Sequence, residues 1–226
     1  MKTKRLRQYS NKQRILLVGE GDFSFSLSLA RAFGSATNLT ATSLDTREEI
    51  ELNYANGKAN IEELTKLGCT VIHGFNVHSM RLAPRSERYD RIIFNFPHSG
   101  FGFGSEHHRY YIMLHQELVR GFLKSSKKMV KDKDGEIHIT HKTAHPFSEW
   151  KIETLAEENG LFLTQEETPR TCKRVCEECK SAGERQDGRG EIYVVHKTEY
   201  SFKEKWEITV TPAPLVGKSS TFMFQK

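Results

Sequence analysis

Two carboxylates fall inside a glycine turn, Gly19-Glu20-Gly21-Asp22-Phe23-Ser24, that follows the apolar run Ile15-Leu16-Leu17-Val18. An apolar strand that breaks into glycines and opens a segment of helical spacing is the layout of a nucleotide-binding βα turn. There, backbone N–H groups and a helix N-terminus face the ligand. A turn that grips a pyrophosphate is ordinarily neutral. Glu20 and Asp22 disfavour a diphosphate and favour a cationic ligand, and S-adenosylmethionine, with its sulfonium and amino group, is such a ligand. Gly19-x-Gly21-x-x-Ser24 is a weak pattern alone, because its third position is Ser; its place between strand and helix gives it weight. Asp45, at the end of the next predicted strand, is where an acid accepts both hydroxyls of a ribose. The alternative is an ordinary helix N-cap before Thr46-Arg47-Glu48-Glu49.

Asn95-Phe96-Pro97-His98 is the second feature with chemical content. A buried strand that ends in Asn and then Pro leaves polar groups at its tip, and the proline fixes the turn that orients Asn95 and His98. Methylation of a base nitrogen needs a group to grip the base edge and an aromatic to stack on it, which Asn95 and Phe96 would supply. The alternative is a strand-ending turn with a core Phe. Ser99-Gly100-Phe101-Gly102-Phe103-Gly104 suits a mobile lid or a flexible linker. Cys172, Cys176 and Cys179 have the C-x3-C-x2-C spacing of radical S-adenosylmethionine enzymes, but the chain ends soon afterwards and Glu178 stands where an apolar residue is usual. Unliganded thiols, or a zinc site completed by His196, are the remaining readings. No metal site is assigned, and neither His107 and His108 nor His141 and His145 form a trusted ligand pattern.

The elements that must position these residues alternate. Strands are predicted over Arg14–Val18, Leu39–Leu44, Thr70–Phe75, Tyr89–Phe96, Glu136–Thr140 and Leu161–Thr164. Helices are predicted over Phe23–Phe33, Arg47–Asn53, Asn60–Leu67, Glu106–Leu123 and Glu149–Asn159, and Lys124–Lys133 reads as a solvated turn. Such an order implies right-handed crossovers and a mostly parallel twisted sheet with helices on both faces, an α/β Rossmann-like fold. Ligands of these sheets lie beyond the C-terminal strand ends. That rule gathers Gly19–Ser24, Asp45, Asn76 and Asn95–His98 around one crevice.

The 226 residues, 28% charged and 37% hydrophobic, suit one substantial globular core. No apolar segment approaches the roughly 20 residues of a membrane span, and no secretory leader is evident. The cysteines are therefore expected in a reducing compartment. The net charge is +5. Residues 1–13, with Arg14 just beyond, carry basic side chains and no acid, and read as a basic arm that contacts phosphates, directs nuclear import or is simply solvated. The main domain is expected over 14–168, and 169–226 as a divergent region that completes the sheet. In it, Gly190-Glu191-Ile192-Tyr193-Val194-Val195-His196-Lys197-Thr198 echoes Gly135-Glu136-Ile137-His138-Ile139-Thr140-His141-Lys142-Thr143, the mark of a local duplication or of a gene-model error.

G-E-G-D-F-S-F-S-L-S-L-A, T-S-L-D, Y-D-R-I-I-F-N-F-P-H-S-G and H-I-T-H-K-T with F-S-E-W resemble the ribosomal RNA uridine-N3 methyltransferase family of the yeast Bmt5 type, most of all its plant members. The similarity runs from about Arg14 to Thr168. It implies a class I methyltransferase fold, S-adenosylmethionine as donor, and large-subunit ribosomal RNA in the pre-ribosome as substrate. It also implies a nuclear or nucleolar place, with the cytoplasm as alternative. Donor-binding residues would be Gly19, Glu20, Gly21, Asp22, Phe23, Ser24, Asp45 and Asn76; catalytic ones would be Asn95, Phe96, Pro97 and His98. Asn76 stands where the family commonly has aspartate, and a family segment expected after the sixth strand is replaced by the cysteine-bearing stretch. A paralogue that binds donor or RNA without methylating, as a ribosome-assembly factor, is the competing reading.

Overall fold

A computed structural model describes residues 2–80, 88–100, 107–167 and 219–226. The chain opens with a small antiparallel pair, β1 (Arg5–Leu6) and β2 (Tyr9–Ser10). The main sheet follows with β3 (Ile15–Val18), β4 (Leu39–Thr42), β5 (Thr70–Ile72), β6 (Arg91–Asn95), β7 (Glu136–Lys142), β8 (Phe162–Glu167) and β9 (Ser219–Gln225). Its order is β5-β4-β3-β6-β7-β9-β8. The pairs β5·β4, β4·β3, β3·β6 and β6·β7 are parallel, whereas β9 runs antiparallel between β7 and β8. The expected mostly parallel α/β sheet is thus present. Its reversed strand sets it apart from the dinucleotide-binding order, in which the strands run 3-2-1-4-5-6.

Alternation along each buried strand sends side chains to two cores. Leu16, Val18, Ile92, Phe94, Ile137, Ile139, Phe222 and Phe224 face one side. There they meet Val119, Phe122 and Leu123 of α4 (Arg109–Met129) and Ile152, Leu155 and Ala156 of α5 (Ile152–Glu158). Ile15, Leu17, Leu39, Ala41 and Ile93 face the other side, under α1 (Ser24–Phe33), the capped helix α2 (Arg47–Asn53) and α3 (Gly57–Lys66).

Three expectations needed correction. Residues 2–13 are not a separate solvated arm: the β1–β2 pair folds onto the domain, and buried Tyr9 exchanges a hydrogen bond with His138 Nδ1 at 2.9 Å. His138 Nε2 in turn lies 2.9 Å from Glu136, which pairs with Arg91 at 3.0 Å. Lys124–Lys133 is not a turn up to Met129: α4 continues through it, burying Ser125 and Ser126, with Lys127 and Lys128 in the last turn, where cations suit the helix dipole. The predicted helix over Glu149–Asn159 is broken by Lys151 at φ 52°, so that a 3-10 turn, Phe147–Trp150, precedes α5 and both Trp150 and Ile152 are buried. The duplicated block around Gly190 lies outside the described residues.

Candidate active site

β3 and β6 lie side by side, with Val18 paired to Phe94, so the glycine turn and Asn95 emerge at adjoining strand ends. Gly19 has φ +68°, and a Cβ there would come within 2.4 Å of the Phe94 ring; only glycine allows this approach. Phe23 takes the left-handed region at φ 62° as the N-cap of α1 and is fully buried, edge-on to His73. Asn60 Nδ2 donates to the Asp22 carbonyl at 2.8 Å, and the Tyr54 hydroxyl abuts Gly21, boxing the turn from α3 and its approach.

The two acids occupy the helix N-terminus themselves. Glu20 Oε2 accepts from Ser26 N–H at 3.1 Å and from its hydroxyl at 2.8 Å, and Asp22 Oδ1 accepts from Ser24 N–H at 3.0 Å. Amides that would cradle a phosphate are already filled by carboxylates. Burial, more than the Asp22 charge, pushes the Glu20 carboxyl up to about 7, although both Ser26 hydrogen bonds act against the shift.

Asp45 follows β4. The N-cap alternative falls to its neighbour: the Thr46 hydroxyl accepts from Glu49 N–H, and the Glu49 carboxylate accepts from Thr46 N–H, a complete capping box. Asp45 instead has Oδ2 buried with no hydrogen-bond partner. A shielded carboxylate oxygen without a donor is costly, and it marks a position where a ligand hydroxyl would be welcome. Asn76 lies on an exposed turn after β5, and its Oδ1 accepts from His78 N–H at 2.8 Å. That turn is pinned to α4 by the close approach of Gly121 to His78 and by Ser125 Oγ donating to the His78 carbonyl.

On the other side, Phe96 N–H donates to the Thr140 carbonyl at 2.8 Å, and Phe96 turns into the left-handed region at φ 47°. A non-glycine residue held there is strained, and such strain collects at functional turns. Pro97 is buried and His98 half-buried. His98 Nδ1 accepts from Gly100 N–H at 3.1 Å, so a neutral ring carries its proton on Nε2. Behind the turn stands a column of rings. His98 meets His115 with centroids 4.5 Å apart, His115 stacks on Trp150 at 4.1 Å and 15°, and Trp150 meets His141 at 4.2 Å. Burial pushes both His115 and His141 down to about 4. Sequence reasoning passed over His115. Its signal was spacing: with Ile112, Val119 and Phe122 it falls on the apolar face of α4.

At the rim of this side, on the first turns of α4, Tyr110 and Met113 are 53% and 48% exposed, beside Arg109 and the His107–His145 contact at 3.3 Å. Residues 101–104 of the glycine-rich segment, and the set Cys172, Cys176, Cys179 and His196, lie outside the described residues. Among the described residues no cluster suits a metal ion, and no helix is long and apolar enough to cross a membrane.

A family model described as BMT5-like, rRNA (uridine-N3-)-methyltransferase BTM5-like, matches residues 16–173. An uncharacterized protein of Arabidopsis thaliana is 52% identical over 161 residues, covering 70% of this chain and 77% of that protein. The heavy metal-associated isoprenylated plant protein 41 of the same plant is 44% identical over 162 residues, 71% of this chain but 31% of its own length. The 25S rRNA (uridine(2634)-N(3))-methyltransferase of Saccharomyces cerevisiae is 24% identical over 211 residues, covering 70% of this chain and 62% of the yeast protein. Among solved structures, a methyltransferase from Pyrococcus furiosus superposes with a TM-score of 0.54 at 11% identity, covering 94% of this chain and 74% of that one. That likeness is one of fold, the class I methyltransferase fold.

Proposed function

Because the chain belongs to the BMT5-like family, we propose that it transfers a methyl group from S-adenosylmethionine to N3 of a uridine in large-subunit ribosomal RNA. The observation that carries the reading is the contrast at the donor side, where the α1 N-terminus is filled by Glu20 and Asp22 while the buried Asp45 Oδ2 lacks a donor. The first feature rejects a diphosphate, and the second accepts a ribose hydroxyl. Together they favour a nucleoside without phosphates and with positive charge, over a nicotinamide dinucleotide. When bound, S-adenosylmethionine supplies an electrophilic methyl group on a sulfonium.

Gly19–Ser24 and Asp45 would hold the donor, and Asn76 would border its adenine. Asn95–His98 would face the base. Uridine N3 lies between two carbonyls on the pairing edge, so the base must be unpaired and turned into the crevice. Asn95 grips that edge and Phe96 shapes the turn beneath it. With Nδ1 accepting from Gly100 N–H, His98 has only Nε2–H to offer, as a donor. It therefore suits orienting a uracil carbonyl better than accepting the imide proton, which passes to solvent. The protein's work is then alignment of sulfonium, methyl and N3. Exposed Tyr110 and Met113, beside Arg109, would receive flanking nucleotides. A nucleolar site of action and a pre-ribosomal partner belong to the same reading.

The test is incubation of the purified chain with labelled S-adenosylmethionine and unmodified ribosomal RNA, followed by mass analysis of nucleosides. N3-methyluridine is expected. Donor and RNA binding without product would instead favour a non-methylating assembly factor.

A further inference from the structure

We infer that His115 is a positioning residue for the Asn95–Ser99 turn, holding it by a hydrogen-bonded and stacked clamp; the inference rests on assigning that turn to the substrate side. His115 Nδ1 accepts from Ser99 N–H at 3.1 Å and lies 2.8 Å from Ser99 Oγ. The ring meets His98 in a tilted contact and stacks on Trp150, which in turn meets His141. The clamp therefore joins the turn after β6 to three further elements: α4, the 3-10 turn before α5, and β7.

The turn needs such a clamp. It begins with a strained Phe96 at φ 47° and is tied to the sheet at that residue by the Phe96 N–H to Thr140 bond. Beyond Pro97, which has no N–H, the hold on it passes to side chains. A ring at the His115 position has to accept, and burial, which keeps the imidazole neutral at physiological pH, preserves the one Nδ1 lone pair that the Ser99 N–H and hydroxyl share. His115 has no role as a proton carrier in this arrangement. It sets where His98 and Ser99 stand.

Two full-chain variants separate the parts of the clamp. His115→Phe keeps a ring against Trp150 and removes the acceptor; His115→Asn keeps an acceptor near Nδ1 and removes the ring. In His115→Phe, amide hydrogen exchange at His98, Ser99 and Gly100 should rise about tenfold, with β6 and β7 unchanged. Its kcat on ribosomal RNA should fall about tenfold to a hundredfold, with the Kd for S-adenosylmethionine unchanged. His115→Asn should recover most of the exchange protection. Unchanged exchange in the turn, an equal rise in β6 and β7, or a donor affinity that falls with kcat would overturn the inference. If His115→Phe does not fold, Ser99→Ala decides: a smaller rise at the same amides supports the clamp, and none refutes it. Should the wild-type chain give no methylated product while exchange behaves as expected, the functional reading fails and the clamp stands.

Discussion

The turns after β3 and β6 sit at neighbouring strand ends, and each carries a phenylalanine in the left-handed region, Phe23 at φ 62° and Phe96 at φ 47°. They are held in opposite ways. The turn after β3 has most of its hydrogen bonds from its own sequence: Glu20 and Asp22 cap the helix that follows within six residues, while Phe94, Tyr54 and Asn60 pack against it. The Asn95–Ser99 turn is secured from far away, by His115, Trp150 and His141. In the proposed reading, the turn built locally would bind a constant ligand, the methyl donor. A turn held by distant rings can be retuned for its substrate by changing its supports.

The sharpest break in the local turn is Gly19→Ala. Its φ is unfavourable for any L side chain, and the Cβ would strike Phe94, so a loss of about 2–5 kcal/mol of stability is expected in urea denaturation. Donor affinity should collapse with it. At Asp45 the effect should be confined to the ligand. Asp45→Ala should weaken S-adenosylmethionine about tenfold to a hundredfold by calorimetry while stability holds or rises, because a buried acceptor without a partner is removed. Thr46→Ala next door should do the reverse, costing about 1 kcal/mol of stability through the lost cap and sparing donor affinity.

The two sides also oppose each other in pH. The folded Glu20 carboxyl titrates near 7 against 4.5 unfolded, so between those values the unfolded chain has released its proton and the native chain has not. Stability from this group declines by about 3 kcal/mol from pH 4.5 to 7 and is level above. His115 and His141 titrate near 4 against 6.5 unfolded, so their contribution is lost as pH falls through that window. Glu20→Gln should leave only the histidine slope, with stability rising up to about pH 6.5 and then flat. Denaturation midpoints across pH 4.5–8 would check it. A cationic donor beside Glu20 should bind more tightly as pH rises through about 7, and that gain should vanish in Glu20→Gln. The smallest effect belongs to the rim, where Tyr110→Ala should raise the KM for RNA by a few-fold to about tenfold and leave the donor Kd alone.

Much of the turn between β3 and α1 was legible in the chain because its cause is local. Strand, glycines and helix follow one another without interruption, and their periodicity and turn chemistry state where Gly19–Ser24 must lie. The N-cap question at Asp45 was not legible. Asp45 and Thr46 both suit a cap, and the Glu49 reciprocal bond chose between them. Nor could the sequence assign Glu20 its partner, since either carboxylate could have faced outward; the geometry of α1 turned it onto Ser26.

By itself the sequence determined the alternating elements, the composition of the two turns and the family. Each of these is written in contiguous residues. Only the tertiary structure decided that β9, from the far end of the chain, lies between β7 and β8, and that the basic start of the chain lies against His138. It also decided that His115 packs against both His98 and Trp150. Those pairings join residues tens of positions apart, and the chain carries no local periodicity that records which distant surface a buried ring will meet.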